Sequence, residues 1–514
     1  MSDDTALPDP ASDKVTNRDF ARGLGTTLLA RMGAVIEVVS QPLYVWLFGL
    51  ASFGLYAVLW AAISLIENIA DLGMTSALQR VVPQAKDERD AVAALRASLL
   101  LGVIPCLLIA LGISLFAADV APLINVAAKD RAVLIQSVQF FIWALPLWAF
   151  VEISTSALRA RRLFGAEIRL RLLWEQVIRL VLAILFWLIS PSILALLAAH
   201  LISLAITCLL SIRLLARHYD LTLLFERPLA SPIFFETLRA GLSILPSNAI
   251  GRVFGDAPPI VLNALLPGAA GATSAALYTI ARKVSSIVQL IRLAFGYVLA
   301  PLASAASRGG NEEVRRLYAF TTRFIFALAV PLGCVMAAGG DAILDLFGPG
   351  ADQAHAALII LILARMAEAV FSASVAVQQV IGAYHRQITA SLIGLAAAAA
   401  IVIPLIPRMG LTVMALAVGA GFIITAAIPL IQLHIHEKLH PFETPFGTVV
   451  IRTIGITIPA LMLSLAASYL TPTWLQLPII LILGMAALWL TCRFALSQDD
   501  RAALGKTGRK LRLI

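Results

Sequence analysis

Residues 277–301 read LYTIARKVSSIVQLIRLAFGYVLAP, a stretch long and apolar enough to cross a lipid bilayer that nevertheless contains three basic residues. At helical spacing its polar residues form one stripe, and its opposite face is apolar. A charge in hydrocarbon costs at least ~2.5–3.5 kcal/mol, so such residues normally face the interior of a helix bundle or a wet cavity. We therefore predict that this helix lines a cationic cavity. The polar stripe consists of Tyr278, Arg282, Ser285, Gln289, Arg292 and Gly296.

The composition is that of a polytopic membrane protein. Of the 514 residues, 60% are hydrophobic and 13% are charged, whereas a soluble protein carries about 25% charged residues. The four cysteines lie inside apolar runs and show no disulfide or metal spacing. No catalytic constellation or nucleotide motif is present either. We therefore expect no catalytic residues, no metal and no cofactor.

Fourteen segments satisfy the length of about 20 mostly apolar residues that a spanning helix needs. The sequence thus predicts an all-α integral membrane protein with fourteen transmembrane helices. The predicted segments are 24–49, 53–82, 91–117, 132–157, 166–189, 191–216, 234–266, 274–304, 313–339, 354–382, 387–407, 411–435, 447–470 and 474–495.

The distribution of Lys and Arg predicts the orientation. Basic residues crowd the loops on one side, and the other side has only Lys129, Arg131 and Arg408. By the positive-inside rule the crowded side is cytoplasmic, and an even helix count places both termini there. The net charge of +9 therefore indicates topology, and we expect a lipid bilayer rather than nucleic acid as the partner.

The chain repeats itself weakly. Pro42 and Pro259 hold matching places in the first and seventh predicted helices, and a Leu-Tyr pair recurs at 55–56 and 277–278. Both halves contain six helices and begin on the same side, which indicates a parallel repeat. We predict a cytoplasmic tail at 1–23, an N-lobe at 24–228, a C-lobe at 229–437, two further helices at 438–498 and a basic cytoplasmic tail at 499–514.

Two sets of intramembrane polar residues are candidates for function. Arginines on one helix can be neutralised by carboxylates three or four residues away, as in Arg252–Asp256 and Arg365–Glu368. Arg31, Arg282 and Arg292 have no carboxylate at that spacing, so we expect them to be better ligands. The predicted substrate-binding residues are Arg31, Asn248, Arg252, Arg282, Gln289, Arg292 and Arg365, and the predicted ion-coupling residues are Glu67, Asp71, Asp256 and Glu368.

Several short motifs resemble those of a known group of transporters. Phe-Gly-Leu-Tyr at 53–56 is followed by Asp-Leu-Gly at 71–73 and Ala-Leu-Gln-Arg at 77–80, and Leu-Phe-Gly at 346–348 precedes the apolar helix that begins Ala-Ala-Leu at 356–358. Over about residues 20–490 the chain resembles the multidrug/oligosaccharidyl-lipid/polysaccharide (MOP) exporter superfamily, and within it the Wzx-type polysaccharide flippases.

The resemblance implies a function without covalent chemistry, and so not an enzyme. A flippase of this kind moves an undecaprenyl-diphosphate-linked oligosaccharide across the bacterial inner membrane for O-antigen, exopolysaccharide or capsule synthesis. It implies alternating access of two lobes, coupled to a proton or other ion gradient, beside a polysaccharide polymerase and a chain-length regulator. The arginines fit this reading, because guanidinium groups match phosphate oxygens bidentately.

Three alternatives remain open at this point. A MATE-type multidrug antiporter of the same superfamily would favour acidic, aromatic-lined pockets. The four predicted ion-coupling carboxylates are consistent with such a pocket, whereas the arginines argue against it. A lipid II flippase would have the same fold and a similarly cationic cavity. An O-antigen polymerase or ligase would resemble the chain in hydropathy, but such enzymes have a large external loop that this sequence lacks.

Overall fold

A computed structural model describes residues 39–161, 163, 168–226, 228, 231–306, 311–381, 384–442, 444–502 and 508–509. The predicted tail at 1–23 and Arg31 lie outside these residues. Within them every regular element is helical, as the apolar periodicity of the sequence predicts. We call the described residues up to 228 the N-terminal half and residues 231–437 the C-terminal half.

The helices follow one another with short connections. The N-terminal half contains α1 (39–48), α2 (Leu50–Ala70), α3 (Met74–Val81), α4 (Glu88–Leu115), α5 (Leu134–Phe141), α6 (Ala144–Ala160), α7 (Glu175–Ile189) and α8 (Ile193–Leu215). The C-terminal half contains α9 (Pro232–Leu265), α10 (Gly268–Ala306), α11 (Asn311–Ala338), α12 (His355–Phe371), α13 (Ala373–Ile381) and α14 (Tyr384–Glu437), and α15 (Thr444–Leu470) and α16 (Thr473–Leu490) follow it.

The structure confirms a multi-pass membrane fold. Ten stretches of the described residues are long and apolar enough to cross a membrane, and each coincides with a predicted segment. Of the other four predicted segments, 24–49 lies largely outside the described residues. Segment 166–189 is divided between a π-helix (Ile168–Trp174) and α7. The last two correspond to α9 and α10, which bear most of the intramembrane arginines.

The second predicted helix, 53–82, is not continuous. Helix α2 ends at Ala70 and α3 begins at Met74, because Leu72 and Gly73 adopt left-handed φ angles of 52° and 74°. Asp71 holds the break: its Oδ1 accepts the backbone N–H of Gly73 at 2.8 Å, and its Oδ2 accepts the Thr75 hydroxyl at 3.1 Å. The Asp-Leu-Gly motif is therefore a break inside a membrane segment.

Helix α2 and the break that follows it contact α10 and α9 at two points where only glycine fits. A Cβ on Gly73 would lie 2.5 Å from the carbonyl oxygen of Gly241 in α9. A Cβ on Gly54 would lie 1.9 Å from the carbonyl oxygen of Ala272 in α10. In both cases the obstacle is backbone, which cannot rotate away. These contacts place α2 of the N-terminal half directly against the two long helices of the C-terminal half.

The chain beyond α16 is partly docked. A short helix, Gln498–Ala502, follows α16, and its buried Asp500 accepts hydrogen bonds from Nε and Nη2 of Arg323 in α11 at 3.2 and 2.8 Å. The predicted tail at 499–514 therefore begins within a docked helical turn. Sequence spacing missed this ion pair because its members are far apart in the chain.

Replacing Gly54 by Ala tests the α2–α10 contact. Alanine favours a helix over glycine by about 1 kcal/mol, yet at position 54 the added methyl group must force α10 away. We expect an overpacking cost of about 1–3 kcal/mol, measured as a lower apparent melting temperature of the purified protein. Gly112→Ala is the matched control, because a Cβ there meets no atom within 4 Å. Equal melting temperatures for the two variants would contradict the close contact.

Candidate functional site

Asp256 of α9 joins two arginines and the N-terminal half. Its carboxylate lies 3.7 Å from Nη1 of Arg252 on the same helix and 3.4 Å from Nη1 of Arg282 on α10. The hydroxyl of Ser64 on α2 donates to the same carboxylate at 2.8 Å. Arg282 also donates from Nη1 to the carbonyl oxygen of Gly255 at 2.6 Å. Asp256 thus links three helices.

Glu368 of α12 is the second shared carboxylate. Arg365, one turn earlier on α12, donates to it at 2.7 Å, and Nε of Arg292 on α10 lies 3.5 Å away. The Arg365 guanidinium also stacks 3.7 Å from the ring centroid of Phe422 on α14. Such cation–π contact stabilises a desolvated guanidinium. Arg365 is therefore held both by Glu368 and by Phe422, whereas the contact of Arg292 with Glu368 is longer than that of Arg365.

Arg282 and Arg292, which have no carboxylate three or four residues away, do have acidic partners in the structure. Each arginine pairs with a carboxylate from a neighbouring helix, which spacing along one helix cannot reveal. A buried cation without a counter-charge is costly, so the packing supplies one. Four arginines share two carboxylates, which leaves the cluster with a formal charge of +2. We call these six residues, Arg252, Asp256, Arg282, Arg292, Arg365 and Glu368, the arginine cluster.

The cluster is unevenly accessible. Arg252 exposes 40% of its side chain, Arg292 27% and Arg282 20%, whereas Arg365 exposes only 7%. On α10 the opposite face is buried, as predicted, with Ile280, Val284, Val288 and Phe295 at or below 1% exposure. Within the predicted polar stripe of α10 the two arginines are therefore partly exposed, whereas Tyr278 and Ser285 are buried.

The remaining predicted ligands lie apart from the ion pairs. Asn248 on α9 donates to the hydroxyl of Ser76 on α3 at 3.1 Å. Gln289 is partly exposed on α10 between the two arginines of that helix. Arg31 lies outside the described residues. All four described arginines belong to the C-terminal half, so the expectation that both halves provide basic ligands depends on Arg31.

Glu67 and Asp71, both predicted for ion coupling, differ in their surroundings. Asp71 is satisfied by the backbone and hydroxyl donors of the helix break. Glu67 is 2% exposed, and no donor among the described residues hydrogen-bonds its carboxyl group. The charged groups near enough to act on it include Glu152, Asp71 and Arg252. Of the two, only Glu67 therefore has a carboxyl group that is available to bind a proton or another ion.

Sequence reasoning missed the pair Glu152–Arg171, which faces Glu67. Nη1 and Nη2 of Arg171 donate to the two oxygens of Glu152 at 3.0 and 2.7 Å, a bidentate arrangement. The guanidinium also lies 4.6 Å from the ring centroid of Trp148. A signal existed: Glu152 is a lone carboxylate in the middle of an apolar segment. Arg171 itself lies in a basic stretch that the sequence assigns to the cytoplasmic side.

A further buried network stabilises the N-terminal half. Arg179 pairs with Glu175 one turn away on α7, and the Tyr56 hydroxyl lies 3.5 Å from Arg179 and 3.1 Å from Nδ1 of His200. His200 has no exposed surface and stacks against Trp60 with 4.3 Å between ring centroids. These groups join α2, α7 and α8, and they belong to the packing of this half.

Solved structures share this arrangement of helices. A lipid II flippase, MurJ, in an inward closed conformation aligns with a TM-score of 0.71 and 13% identity over 91% of this chain and 97% of that chain. MATE in complex with MaL6 aligns at 0.61 with 17% identity over 82% and 97%. A MOP superfamily transporter from Pyrococcus furiosus, described by the reverse polarity of its binding pocket, aligns at 0.61 with 15% identity over 82% and 96%. The fold is that of the MOP exporter superfamily.

The family follows from the sequence match. No curated protein matches the chain. Residues 20–307, more than half of the chain, match the family described as polysaccharide biosynthesis protein, and the chain belongs to that family. Together, family and fold identify a multi-pass membrane protein of the MOP transporter and flippase type.

Asp256→Asn tests whether the shared carboxylate holds the helices together. The change keeps the shape but leaves Arg252 and Arg282 without a counter-charge, which we expect to cost about 3 kcal/mol or more. The measurement is the apparent melting temperature of the purified protein. Ser64→Ala, which removes one hydrogen bond and should cost about 1 kcal/mol, is the comparison. A smaller loss for Asp256→Asn than for Ser64→Ala would show that the ion pairs are not structural.

Proposed function

We propose that this protein is a flippase that moves an undecaprenyl-diphosphate-linked oligosaccharide across the bacterial inner membrane for surface polysaccharide synthesis. The observation behind the proposal is the arginine cluster, with its formal charge of +2, inside a fold of the transporter type. Membership of a polysaccharide biosynthesis family supports a glycan cargo. A polymerase and a chain-length regulator are the expected partners.

The diphosphate fits the arginines by charge and shape. Arg252, Arg282 and Arg292 lie at 3.4–3.7 Å from shared carboxylates. These distances are long for charge-assisted hydrogen bonds, which are commonly about 2.7–2.9 Å. We expect phosphate oxygens to replace these long contacts, whereas the bond of 2.6 Å from Arg282 to the Gly255 carbonyl oxygen holds that guanidinium in position. Arg365, at 2.7 Å from Glu368, would remain a fixed support.

The charge also weighs against the multidrug alternative. Organic cations bind carboxylates that lack a basic partner, whereas Asp256 and Glu368 are each shared by two arginines. A lipid II flippase would bind the same diphosphate group, so the arginine cluster is compatible with it. Complementation of a polysaccharide flippase mutant and of a lipid II flippase mutant separates these two cargoes.

Substitution of Arg282 and Arg292 tests the substrate site. Lys keeps the charge but loses the bidentate fork, so a double Arg→Lys variant should retain more transport than a double Arg→Ala variant and less than the native protein. The measurement is polysaccharide display at the cell surface, divided by the amount of protein in the membrane. We expect the double Ala variant to fall at least about tenfold.

The control for this experiment is Arg323→Ala, which removes an arginine of similar burial that pairs with Asp500 far from the cluster in sequence. It should affect protein level more than display per molecule. Normal display from a well-expressed Arg282→Ala/Arg292→Ala protein would refute the substrate site.

For ion coupling we propose Glu67, with Asp71 as the structural residue of the helix break. A carboxyl group buried in a low-dielectric region without hydrogen-bond donors is suited to exchange a proton or a small cation. Glu67 has that environment, and Asp71 does not. Asp256 and Glu368, the other predicted coupling residues, act in this proposal as counter-charges of the arginines. The half that holds Glu67 packs against the half that holds Arg252, so ion and substrate could influence each other.

Isosteric amides separate the two carboxylates. Glu67→Gln should remove the response of transport to an imposed proton or sodium gradient and leave the protein folded. Asp71→Asn can keep the bond from Gly73 N–H through its amide oxygen, but it replaces the oxygen that accepts from Thr75 by an NH2 donor, so it should lower stability. The assay compares transport in vesicles with and without each gradient, beside the melting temperature. A Glu67→Gln protein that keeps its full response to the gradient would exclude Glu67.

A further inference from the structure

Two asparagines from different halves bind each other reciprocally at one end of the bundle. The backbone N–H of Asn125 donates to Oδ1 of Asn263 at 3.0 Å, and the Asn125 side-chain amide donates to the Asn263 carbonyl oxygen at 2.8 Å. The Asn263 amide returns a bond of 2.7 Å to the Asn125 carbonyl oxygen, and Gly268 N–H donates to Asn125 Oδ1 at 3.0 Å. We call this set of four hydrogen bonds the asparagine clasp.

The clasp lies at the end of the bundle that we call the outer end, because the sequence predicts that it faces away from the cytoplasm. Asn125 belongs to the connection between α4 and α5, and Asn263 is in the last turn of α9. Gly268 begins α10 with a left-handed φ of 57°, which directs its N–H toward Asn125. One short loop of the N-terminal half thus binds the tip of the α9–α10 hairpin.

A second contact between the halves lies at the same end. Nε1 of Trp46, at the end of α1, donates to the carbonyl oxygen of Leu346 at 2.7 Å. Leu346 belongs to the connection between α11 and α12. Both contacts are neutral hydrogen bonds between loops or helix ends, and groups of this kind bond to water once they are exposed. They can therefore close the outer end and still be exchanged for water when it opens.

The packing beside the clasp leaves room for movement. A cavity of about 300 Å³ adjoins it and is lined by Asn125, Gly268, Arg131 and apolar residues that include Pro122 and Leu134. The opposite end of α2 meets α9 through the backbone contact of Gly73 with Gly241. At the outer end Gly54 of α2 lies against Ala272, one turn after Gly268, so opening there also separates α10 from α2.

We propose that the asparagine clasp is the outer gate of the transport pathway, a role for Asn125 and Asn263 that rests on the proposed alternating-access function. While the four hydrogen bonds hold, the tip of α9–α10 stays on the N-terminal half and the substrate has no exit on that side. Release of the clasp allows the hairpin to move away from α4–α5 and opens the arginine cluster to the outer side.

Cysteine accessibility tests the gate without requiring substrate. Gly251→Cys serves as the reporter, because it adjoins Arg252 and a Cβ there meets no atom within 4 Å. A membrane-impermeant maleimide is applied to spheroplasts, and labelling of the protein with native Gly251 gives the background from the four native cysteines. Adding Asn125→Ala should raise the labelling rate about tenfold, because the closed form loses the side-chain bonds of the clasp.

Matched variants separate gating from misfolding. Ser114→Ala removes a bond to the carbonyl oxygen of Gln139 near the outer end within a single half, and it should leave labelling unchanged. Asn125→Asp keeps the shape but loses the amide donor, so it should give an intermediate rate if Asn125→Ala fails to accumulate. Labelling by the Asn125 variants at the native rate would overturn the proposal.

A crosslink gives the converse test. The Asn125→Cys/Asn263→Cys protein, crosslinked by a short bis-methanethiosulfonate that forms a disulfide with each cysteine and releases methanesulfinate, should stop transporting polysaccharide precursor and recover on reduction. Full transport in the crosslinked state would also overturn the gate. Because labelling requires no cargo, increased labelling of the Asn125→Ala variant, together with failure of the native protein to restore glycan transport in a polysaccharide flippase mutant, would refute the proposed function and leave the gate intact.

Discussion

A guanidinium group inside a membrane protein needs a counter-charge. This requirement determines which helices pack together at the centre of this structure. Each of the four arginines of the cluster lies beside Asp256 or Glu368, and each carboxylate serves two of them. Because the partners come from different helices, compensation of charge also fixes helix positions: Asp256 joins α9 to α10 and α2, and Glu368 joins α12 to α10. The ion pairs that compensate the charge of the arginines are therefore the same interactions that bring the helices of the site together.

The two halves differ in the sign of their buried charge. The arginine cluster of the C-terminal half has more cations than anions, whereas around Glu67 the N-terminal half places Glu67, Asp71 and Glu152 against Arg171. Glu67 and Arg252 are close enough to interact electrostatically. An anion that approaches the arginines thus also changes the field at Glu67, which is the physical requirement for linkage between a cargo and a coupling ion.

The halves meet through two kinds of contact with different consequences for movement. At Gly54 and Gly73 backbone lies against backbone, and any separation loses close packing that water cannot replace. At Asn125 and Asn263 the contacts are neutral hydrogen bonds, and water can take the place of either partner once the halves separate. Opening at the outer end therefore exchanges the clasp for water and also separates Gly54 of α2 from Ala272 of α10, whereas the Gly73 contact lies at the other end of α2.

The sequence by itself determined the helical membrane fold, the family resemblance and the polar stripe of α10, since apolar periodicity and intramembrane charge are local properties of the chain. It also identified the residues of the arginine cluster one by one. Only the tertiary structure decided which carboxylate each arginine meets, that Asp71 holds a helix break while Glu67 has no donor among the described residues, and that Asn125 binds Asn263. Those facts depend on contacts between segments far apart in the chain, which no spacing along a single helix can encode.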